Sequence, residues 1–475
     1  MKQLPGREES SPELGKGASP FDGGCGWRHV IILLVFVVIF ICYADRTNIG
    51  IVLAQQDLPG IPHRSKGSIL SAFFVGYLST QILGGVIAHR WGGKAALLLA
   101  AMAWTAFDVL TPVLALAGFA PLYLCRVGVG LGEGLVMPTQ HALVSFWVPA
   151  HERGFLVAIV TSGQEFGSVM ANLLSPQLLR RGAALVFDVW GAAAVIASAL
   201  FLALGASAPE LHTGCLQTGE AHWIQQHRDA QHIDTVRQVR AREPPVDWRL
   251  LREPSVTAII VAHMGVNYAW YVVLSWMPTF FVDVHGLKLA DNPHLLAAPY
   301  MAGFVGLLLT GRVSDALIAR GLRVRHARKA AQVGGALGLL FFLLLAASAR
   351  TAGWAAAWMM LALFFGRAQS CGFWVSMVDV CPETAAKLMA VSNTMATIPG
   401  IIGQPITQAI LDATGSWSAV FGVGGVLAVA ASIVFLALGD DQPVDGKPQP
   451  YAACEKPEGL DSVVGKVTRC DEERG

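Results

Sequence analysis

The sequence predicts an all-α polytopic membrane protein, with twelve transmembrane helices in two pseudo-symmetric six-helix bundles. Three observations carry that expectation. Apolar runs follow one another from Trp27 to Leu438 with only short breaks. Charged residues are 14% of the chain and apolar residues 54%, where a soluble chain carries roughly 25% charged residues. Landmarks of the first half recur about 230 residues later.

A hydrocarbon layer about 30 Å thick takes roughly 20 apolar residues as a helix, and only helices satisfy their own backbone there. The expected spans are 29–54, 67–88, 94–115, 121–146, 154–178, 183–206, 254–281, 295–318, 328–348, 353–378, 385–411 and 417–438. Residues 1–27 are polar and carry Glu8, Glu9, Glu13 and Asp22. That composition is neither a signal peptide nor an Arg-rich transit peptide, so the first apolar run is expected to stay in the protein. Six-helix bundles are expected over 28–206 and 253–438. Residues 207–252 form a polar central loop holding a short amphipathic helix, Ala221–Val239, with a solvated or interfacial face. The tail 439–475 is expected to be disordered. Lys and Arg set the orientation. With the N-terminus in the cytosol, sixteen basic loop residues face the cytosol and six the other side, so both termini are expected there.

The internal repeat rests on two landmarks. Gly85-Val-Ile-Ala-His89-Arg90 follows the second span and Gly311-Arg312-Val-Ser-Asp315 the eighth, an offset of 226 residues. Ser162-Gly163 precedes Pro176 in the fifth span, and Ser392-Asn393 precedes Pro405 in the eleventh. Repeat-built carriers hold their solute between the halves near the membrane midplane.

Several function classes are excluded. A net charge of +1 leaves no footprint for nucleic acid. Eight cysteines without metal or framework spacing argue against a disulfide scaffold or a metal centre. There is no HExxH, no paired catalytic carboxylates and no nucleotide-binding motif, so neither an enzyme nor an ATP-driven pump is expected, and no cofactor. Gly128, Gly130, Gly132 and Gly134 sit inside a span with no strand before them, and are expected to let helices approach closely.

The twelve-span pattern, the central loop and the repeated loop resemble the major facilitator superfamily over about residues 28–438. Finer motifs resemble its anion:cation symporter branch, which includes solute carrier family 17, in particular the plant-type and sialin-like members. These are Tyr43-Ala-Asp45-Arg46-Thr-Asn48 and Ser71-Ala-Phe73-Phe74-Val-Gly76-Tyr77 with Gln81. Then come Arg126-Val-Gly-Val-Gly-Leu-Gly132-Glu133-Gly134 with Pro138, Trp147, Pro149 and Glu152-Arg153, and finally His263, Asn267 and Ser275-Trp276-Met277-Pro278-Thr279. The resemblance implies alternating access and transport of an organic or inorganic anion, coupled to protons, sodium or membrane potential. It also implies a small anionic solute, a coupling ion and a lipid bilayer as the partners of a chain that works as a monomer. Alternatives are a sugar-acid or drug carrier of the same superfamily, or a non-transporting sensor on the same fold. Two departures matter. His89 stands where the family has an acid. Leu70 and Val266 stand where vesicular glutamate carriers have histidine and arginine, which speaks against a dicarboxylate.

A charge at mid-bilayer costs roughly 2.5–3.5 kcal/mol on insertion scales and so needs a reason. Arg46 and Arg126 are the expected substrate ligands, because a guanidinium stays ionised and its planar fork matches carboxylate or phosphate. Glu133 follows Arg126 by seven residues, which returns it to within about 20° of the same helix face. It is the expected ion-coupling group, or else a structural partner of Arg126, with Glu165 as a second coupling candidate. His263, Asn267 and Tyr271 form one polar stripe, read as further substrate contacts or as gating and packing residues. His89, Arg90, Arg312 and Asp315 are expected to gate. Asp108 reads as a satisfied polar residue at a helix interface, and Arg367 has no assigned role.

Overall fold

A computed structural model describes residues 25–55, 61–149, 152–227, 249–381 and 384–444. Most of the amphipathic stretch expected in the central loop, and both terminal tails but for a few residues, lie outside these. The described residues form helices joined by turns and short 3-10 segments, with no strand among them. The helices are α1 (Trp27–Ala54), α2 (Lys66–Trp91), α3 (Gly93–Leu116), α4 (Phe119–Glu133), α5 (Val136–Trp147), α6 (Arg153–Leu179), α7 (Ala183–Leu204), α8 (Thr213–Thr218) and α9 (Glu220–Gln226). The second half holds α10 (Pro254–His285), α11 (Pro293–Ala319), α12 (Val324–Ala347), α13 (Ala352–Ala368), α14 (Phe373–Val380), α15 (Ala385–Thr414) and α16 (Trp417–Leu438).

Apart from α8 and α9, which lie between the segments 183–206 and 254–281, these helices fall on the twelve expected segments. Among the described residues nine stretches are long and apolar enough to cross a membrane, with α4 and α5 counted together. The other three regions are α6, α15 and the α13–α14 pair. Two of them are less apolar because they bury a polar row, Glu165, Ser168, Asn172 and Ser175 on α6 and Ser392, Thr397, Gln404 and Gln408 on α15. The third is interrupted, so neither piece reaches a full span.

Two spans are broken, each for a local reason. α4 ends at Glu133 and α5 starts at Val136. Pro138 has no N–H to give to the carbonyl of Gly134 and its ring crowds that carbonyl. α13 ends at Ala368, passes through a 3-10 turn over Gln369–Cys371 and resumes at Phe373 after Gly372. Gln332 of α12 stitches this second break. Its Nε2 donates to Gln369 Oε1 at 3.2 Å and Ser432 Oγ at 3.0 Å, and its Oε1 accepts from the Phe373 N–H at 3.3 Å.

Contacts group the chain into two compact units. One is Met1–Asn48, Val75–Ala171 and Leu178–Glu243; the other is Ile49–Phe74, Asn172–Gln177 and Pro244–Gly475. In the first unit, α3 and α4 approach closely at glycines. A Cβ on Gly128 would lie 2.5 Å from the Phe107 ring, and one on Gly132 would run into the Trp104 backbone. Gly134 meets the Tyr77 carbonyl of α2 in the same way. At these three positions the glycine run is a packing device. The same unit ties the central loop to α1. Arg28 is fully buried; its Nε meets Glu152 at 2.7 Å, its Nη1 meets Glu220 at 2.8 Å, and its guanidinium lies 4.7 Å over Trp223. Glu220 also accepts from the Trp27 N–H at 2.7 Å, putting a carboxylate on the open N–H groups that start α1. Over the described part of the expected amphipathic stretch the helix has two faces: His222, Gln225 and Gln226 are exposed, while Ala221, Trp223 and Ile224 are buried on the side that serves Arg28.

In the second unit, the end of α1 and the start of α2 interlock with α10 and α15. Gly50 faces the Ser275 carbonyl and Gly67 the Gln404 carbonyl. Ser71 Oγ donates to Ile401 O at 2.6 Å, and the Phe74 and Tyr271 rings lie 4.4 Å apart. Gly265 of α10 packs on Ala431 and Leu427 of α16. The expected repeat loops are also corrected. His89 and Arg90 are in the last turn of α2, and Arg312 and Asp315 lie inside α11, which runs on to Ala319. Nothing in Gly311–Asp315 breaks a helix, so the turn comes later, at Gly321 with φ of 96°.

The Arg28 network gives a stability prediction. Replacing one partner of a buried pair leaves the other charge uncompensated, at about 3–5 kcal/mol. Arg28→Met should lower the melting temperature in detergent markedly more than Glu152→Gln, whose carboxylate is 18% exposed. Equal melting temperatures for both variants and the parent would remove the network from the stability of this unit.

Candidate functional site

The first unit concentrates charge where α1, α3 and α4 meet. Five ionisable side chains are buried together there: Asp45 and Arg46 on α1, Asp108 on α3, and Arg126 and Glu133 on α4. Arg46 Nε and Nη2 both donate to Glu133 Oε2, at 3.0 and 2.7 Å. The Tyr43 and Tyr77 rings lie 4.5 and 4.8 Å from its guanidinium. Arg126 Nη1 donates to Asp108 Oδ1 at 3.4 Å. Trp104 Nε1 donates to Asp45 Oδ2 at 3.2 Å, and Trp104 is the residue whose backbone sits on Gly132. Tight α3–α4 packing and the placement of Asp45 are thus one arrangement.

The seven-residue spacing on α4 holds, since Arg126 and Glu133 bracket the same buried region. The alternative reading, Glu133 as a structural partner of Arg126, gives way to pairs between helices. Glu133 is paired with Arg46 from α1, and Arg126 with Asp108 from α3. A seven-residue separation places two side chains two turns apart, beyond a contact, while a neighbouring helix supplies a carboxylate at the right height. Asp108 is buried at the α3–α4 interface with Oδ1 on Arg126, while its Oδ2 has no hydrogen-bond partner among the described residues. Glu165 is buried in the same unit, on α6.

The second unit holds the polar stripe of α10. His263 Nδ1 lies 2.8 Å from Ser392 Oγ, and the ring stacks on Phe373 at 4.7 Å. Asn267 Nδ2 donates to Tyr271 OH and to Ala396 O, both at 3.2 Å. All three residues therefore work against α15 or along α10 itself. His263 and Asn267 also line a cavity of about 60 Å³ beside the α13–α14 break, with Trp270, Arg367, Ser370 and Trp374. Tyr271 is not in that wall. Instead it contacts Phe74, and its carbonyl accepts from Gln404 Nε2 at 3.2 Å. Val266, at the position of the missing arginine, is part of the apolar wall. His89, Arg90, Arg312 and Asp315 are exposed and belong to neither cluster.

Some of this was beyond sequence reasoning. Arg328 Nε donates to Asp379 Oδ2 at 2.9 Å and its Nη1 to Ser314 Oγ at 3.2 Å, joining α12, α14 and α11. The available signal was an acid near the end of the tenth apolar segment. Gln332 was visible only as a lone amide in an apolar run, and its partners lie 37 to 100 residues away.

Membrane-length helices that bury paired opposite charges define a polytopic membrane transport protein. The chain belongs to the Major Facilitator Superfamily, whose family model matches residues 35–404. It is 33% identical over 411 residues to "Probable anion transporter 4, chloroplastic" of Oryza sativa subsp. japonica, covering 86% of this chain and 68% of that one. It is 31% identical over 430 residues to "Ascorbate transporter, chloroplastic" of Arabidopsis thaliana, covering 88% and 76%. The resemblance to the anion-transporter branch therefore extends over most of the chain. Among solved structures, the partially occluded inward-open xylose transporter XylE from E. coli superposes with a TM-score of 0.65 at 15% identity, covering 89% of this chain and all of that one. That likeness shows the fold.

Gln332 provides a test of the broken span. Gln332→Leu removes three buried hydrogen bonds and leaves their partners in an apolar setting, at about 1–3 kcal/mol for each group left unsatisfied. The variant should melt well below the parent in detergent. A melting temperature within error of the parent would show that the break stands without the amide.

Proposed function

We propose that this protein is a secondary active transporter of a small organic or inorganic anion, of the phosphate or carboxylate class, working by alternating access. The buried five-charge cluster carries the reading. Two guanidiniums held inside membrane helices attract an anion, and Glu133 and Asp108, paired with them, keep the empty protein from holding uncompensated cations. The names of the relatives support the same substrate class. In this proposal the moving parts are the six-helix halves over 28–206 and 253–438. Arg46 and Arg126 bind the anion, with Asn267, Tyr271 and His263 as further contacts. Glu133, with Glu165 of α6 as the second candidate, couples transport to a proton or sodium ion. His89 and Arg90, in the last turn of α2, and Arg312 and Asp315, inside α11, act as the gate. A single chain suffices, and both termini face the cytosol.

The geometry suggests how coupling arises. Glu133 and an incoming anion compete for the same Arg46 donors. A cation that neutralises Glu133 frees the guanidinium, so ion and solute are favoured together. Asp108 stands in the same relation to Arg126.

Losing a charge-assisted contact to the solute is worth roughly 1.5–3 kcal/mol, or about ten- to a hundredfold in affinity. Arg46→Ala and Arg126→Ala should each weaken anion binding by that factor. Arg126→Lys should be impaired as well, because it keeps charge but not the fork. Glu133→Gln should still bind anion and exchange it across proteoliposomes, yet lose accumulation against a gradient. Normal affinity in both alanine variants would place the anion elsewhere, and uphill uptake by Glu133→Gln would return Glu133 to a structural role.

Topology gives a separate check. Tags at residue 10, within 215–245 and at 460 should be read from the cytosol, and one between Asp57 and Lys66 from the other side. The central loop and the 57–66 loop reading from one side would overturn the span order.

A further inference from the structure

We propose that the turn joining α11 to α12 is a docking surface for the headgroup of an anionic phospholipid in the leaflet it borders. Four side chains of fixed positive charge stand there within ten residues, Arg320, Arg323, Arg325 and Lys329, with His326 among them. Arg320, Arg323 and His326 are exposed, and Arg325 and Lys329 are half-buried. None of the four cations makes an ion pair among the described residues. Arg328, the remaining cation of the stretch, is turned inward to Asp379 and Ser314 and takes no part.

The backbone fixes how these groups are presented. At the end of α11 the Gly321 N–H donates to Ile318 O at 2.9 Å and the Leu322 N–H to Leu317 O at 3.1 Å. Gly321, at φ of 96°, takes the left-handed conformation that this closure needs. Next, α12 starts at Val324, so Arg323 and Arg325 flank its first residue. The first turn of α12 holds no acid, although the positive end of a helix dipole favours acids and disfavours cations. Arg325 and Lys329 are one turn apart on one face, where like charges repel. The nearby acids are committed elsewhere. Asp379 pairs with Arg328, Asp441 accepts from the Arg325 N–H at 3.1 Å, and Asp440 accepts from the Asp441 N–H at 2.9 Å. Asp315 lies back in α11, three residues from Arg312. The cluster is therefore unfavourable for the protein alone, and an anion from outside relieves it.

The apolar residues of the turn make that anion a lipid. Leu317 and Leu322, brought together by the closing bonds, are 39% and 36% exposed, and Val313, one turn back, is exposed as well. Both helices that meet here are of membrane-crossing length and hydropathy. At a bilayer surface the leucines enter hydrocarbon, while the Arg and Lys stems run along it and put their charges at headgroup level. Lys and Arg clusters beside a membrane helix attract anionic headgroups, and the guanidinium fork matches phosphate oxygens. A zwitterionic headgroup brings its own ammonium against the same cations, so the surface selects net negative charge. The corresponding turn of the first half, between α2 and α3, has only Arg90 and Lys94 beside His89. The docking surface belongs to the second unit.

The experiment titrates the purified full-length protein, in a neutral detergent, with radiolabelled phosphatidylglycerol and measures the lipid retained through size-exclusion chromatography. The parent should retain it, and unlabelled phosphatidylcholine should compete at least tenfold more weakly than unlabelled phosphatidylglycerol. Glycerol 3-phosphate, which has the phosphate without the tails, should not displace the label. The triple variant Arg320→Gln, Arg323→Gln, Lys329→Gln should bind tenfold or more weakly, with Arg323→Gln alone in between. A second triple variant, Arg181→Gln, Lys288→Gln, Arg350→Gln, removes as many exposed cations elsewhere and should bind like the parent. Leu322→Ser keeps every cation and should weaken retention severalfold. Elution profile and melting temperature identify folded variants, and Arg323→Gln with Leu322→Ser decides the matter if the first triple variant does not fold. No retention by the folded parent, phosphatidylcholine competing as well as phosphatidylglycerol, displacement by glycerol 3-phosphate, parent-like binding by the folded turn variants, or equal loss in the second triple variant would each overturn the proposal. No transport is measured, so the outcome is independent of the anion-transport reading.

Discussion

Hydrocarbon supplies no hydrogen-bond partners and almost no charge screening, so every polar group inside the membrane must be answered by the protein itself. The whole structure follows from that constraint. It explains why the buried arginines come with carboxylates from other helices: Arg28 with Glu152 and Glu220, Arg46 with Glu133, Arg126 with Asp108, and Arg328 with Asp379. It also explains why a helix interruption is backed by an amide, as at Gln332. Each such group fixes the height and rotation of one helix against another, which apolar packing between similar aliphatic surfaces cannot do.

In the proposed transport reading, the same constraint gives structural groups a function. A guanidinium that must be neutralised in the empty protein can exchange its internal carboxylate for a carboxylate or phosphate from outside. The carboxylate it releases then needs a cation. Anion binding and ion coupling are in this view one exchange of partners, and the two pairs in the first unit have the composition for it. Close packing sets the precision: Gly132 brings the Trp104 backbone against α4, and Trp104 holds Asp45 through its indole N–H.

The second unit answers the constraint with rings as well as with acids. Arg367 lies over Trp270, and His263 is held between Ser392 and Phe373. Aromatic faces tolerate cations and polar edges while keeping water out, so a cavity can persist here beside a broken span.

The sequence by itself determined the fold class, the positions of the spans and which charged and polar side chains lie inside them. Hydropathy reads directly on segments of about 20 residues, and a charge inside such a segment is conspicuous whatever its partner. Arg46, Arg126, Glu133 and the His263–Asn267–Tyr271 stripe were legible for that reason. Only the tertiary structure decided who pairs with whom. Glu133 goes to Arg46, 87 residues away, and not to Arg126 on its own helix. Helical periodicity fixes the face on which a residue sits but carries no information about which neighbour is opposite or at what height. The repeat landmarks near His89 and Asp315 looked like loops because motif spacing does not mark helix ends. The Arg367 cavity was invisible because its walls come from α10, α12, α13 and α14, and a void belongs to the packing of all four.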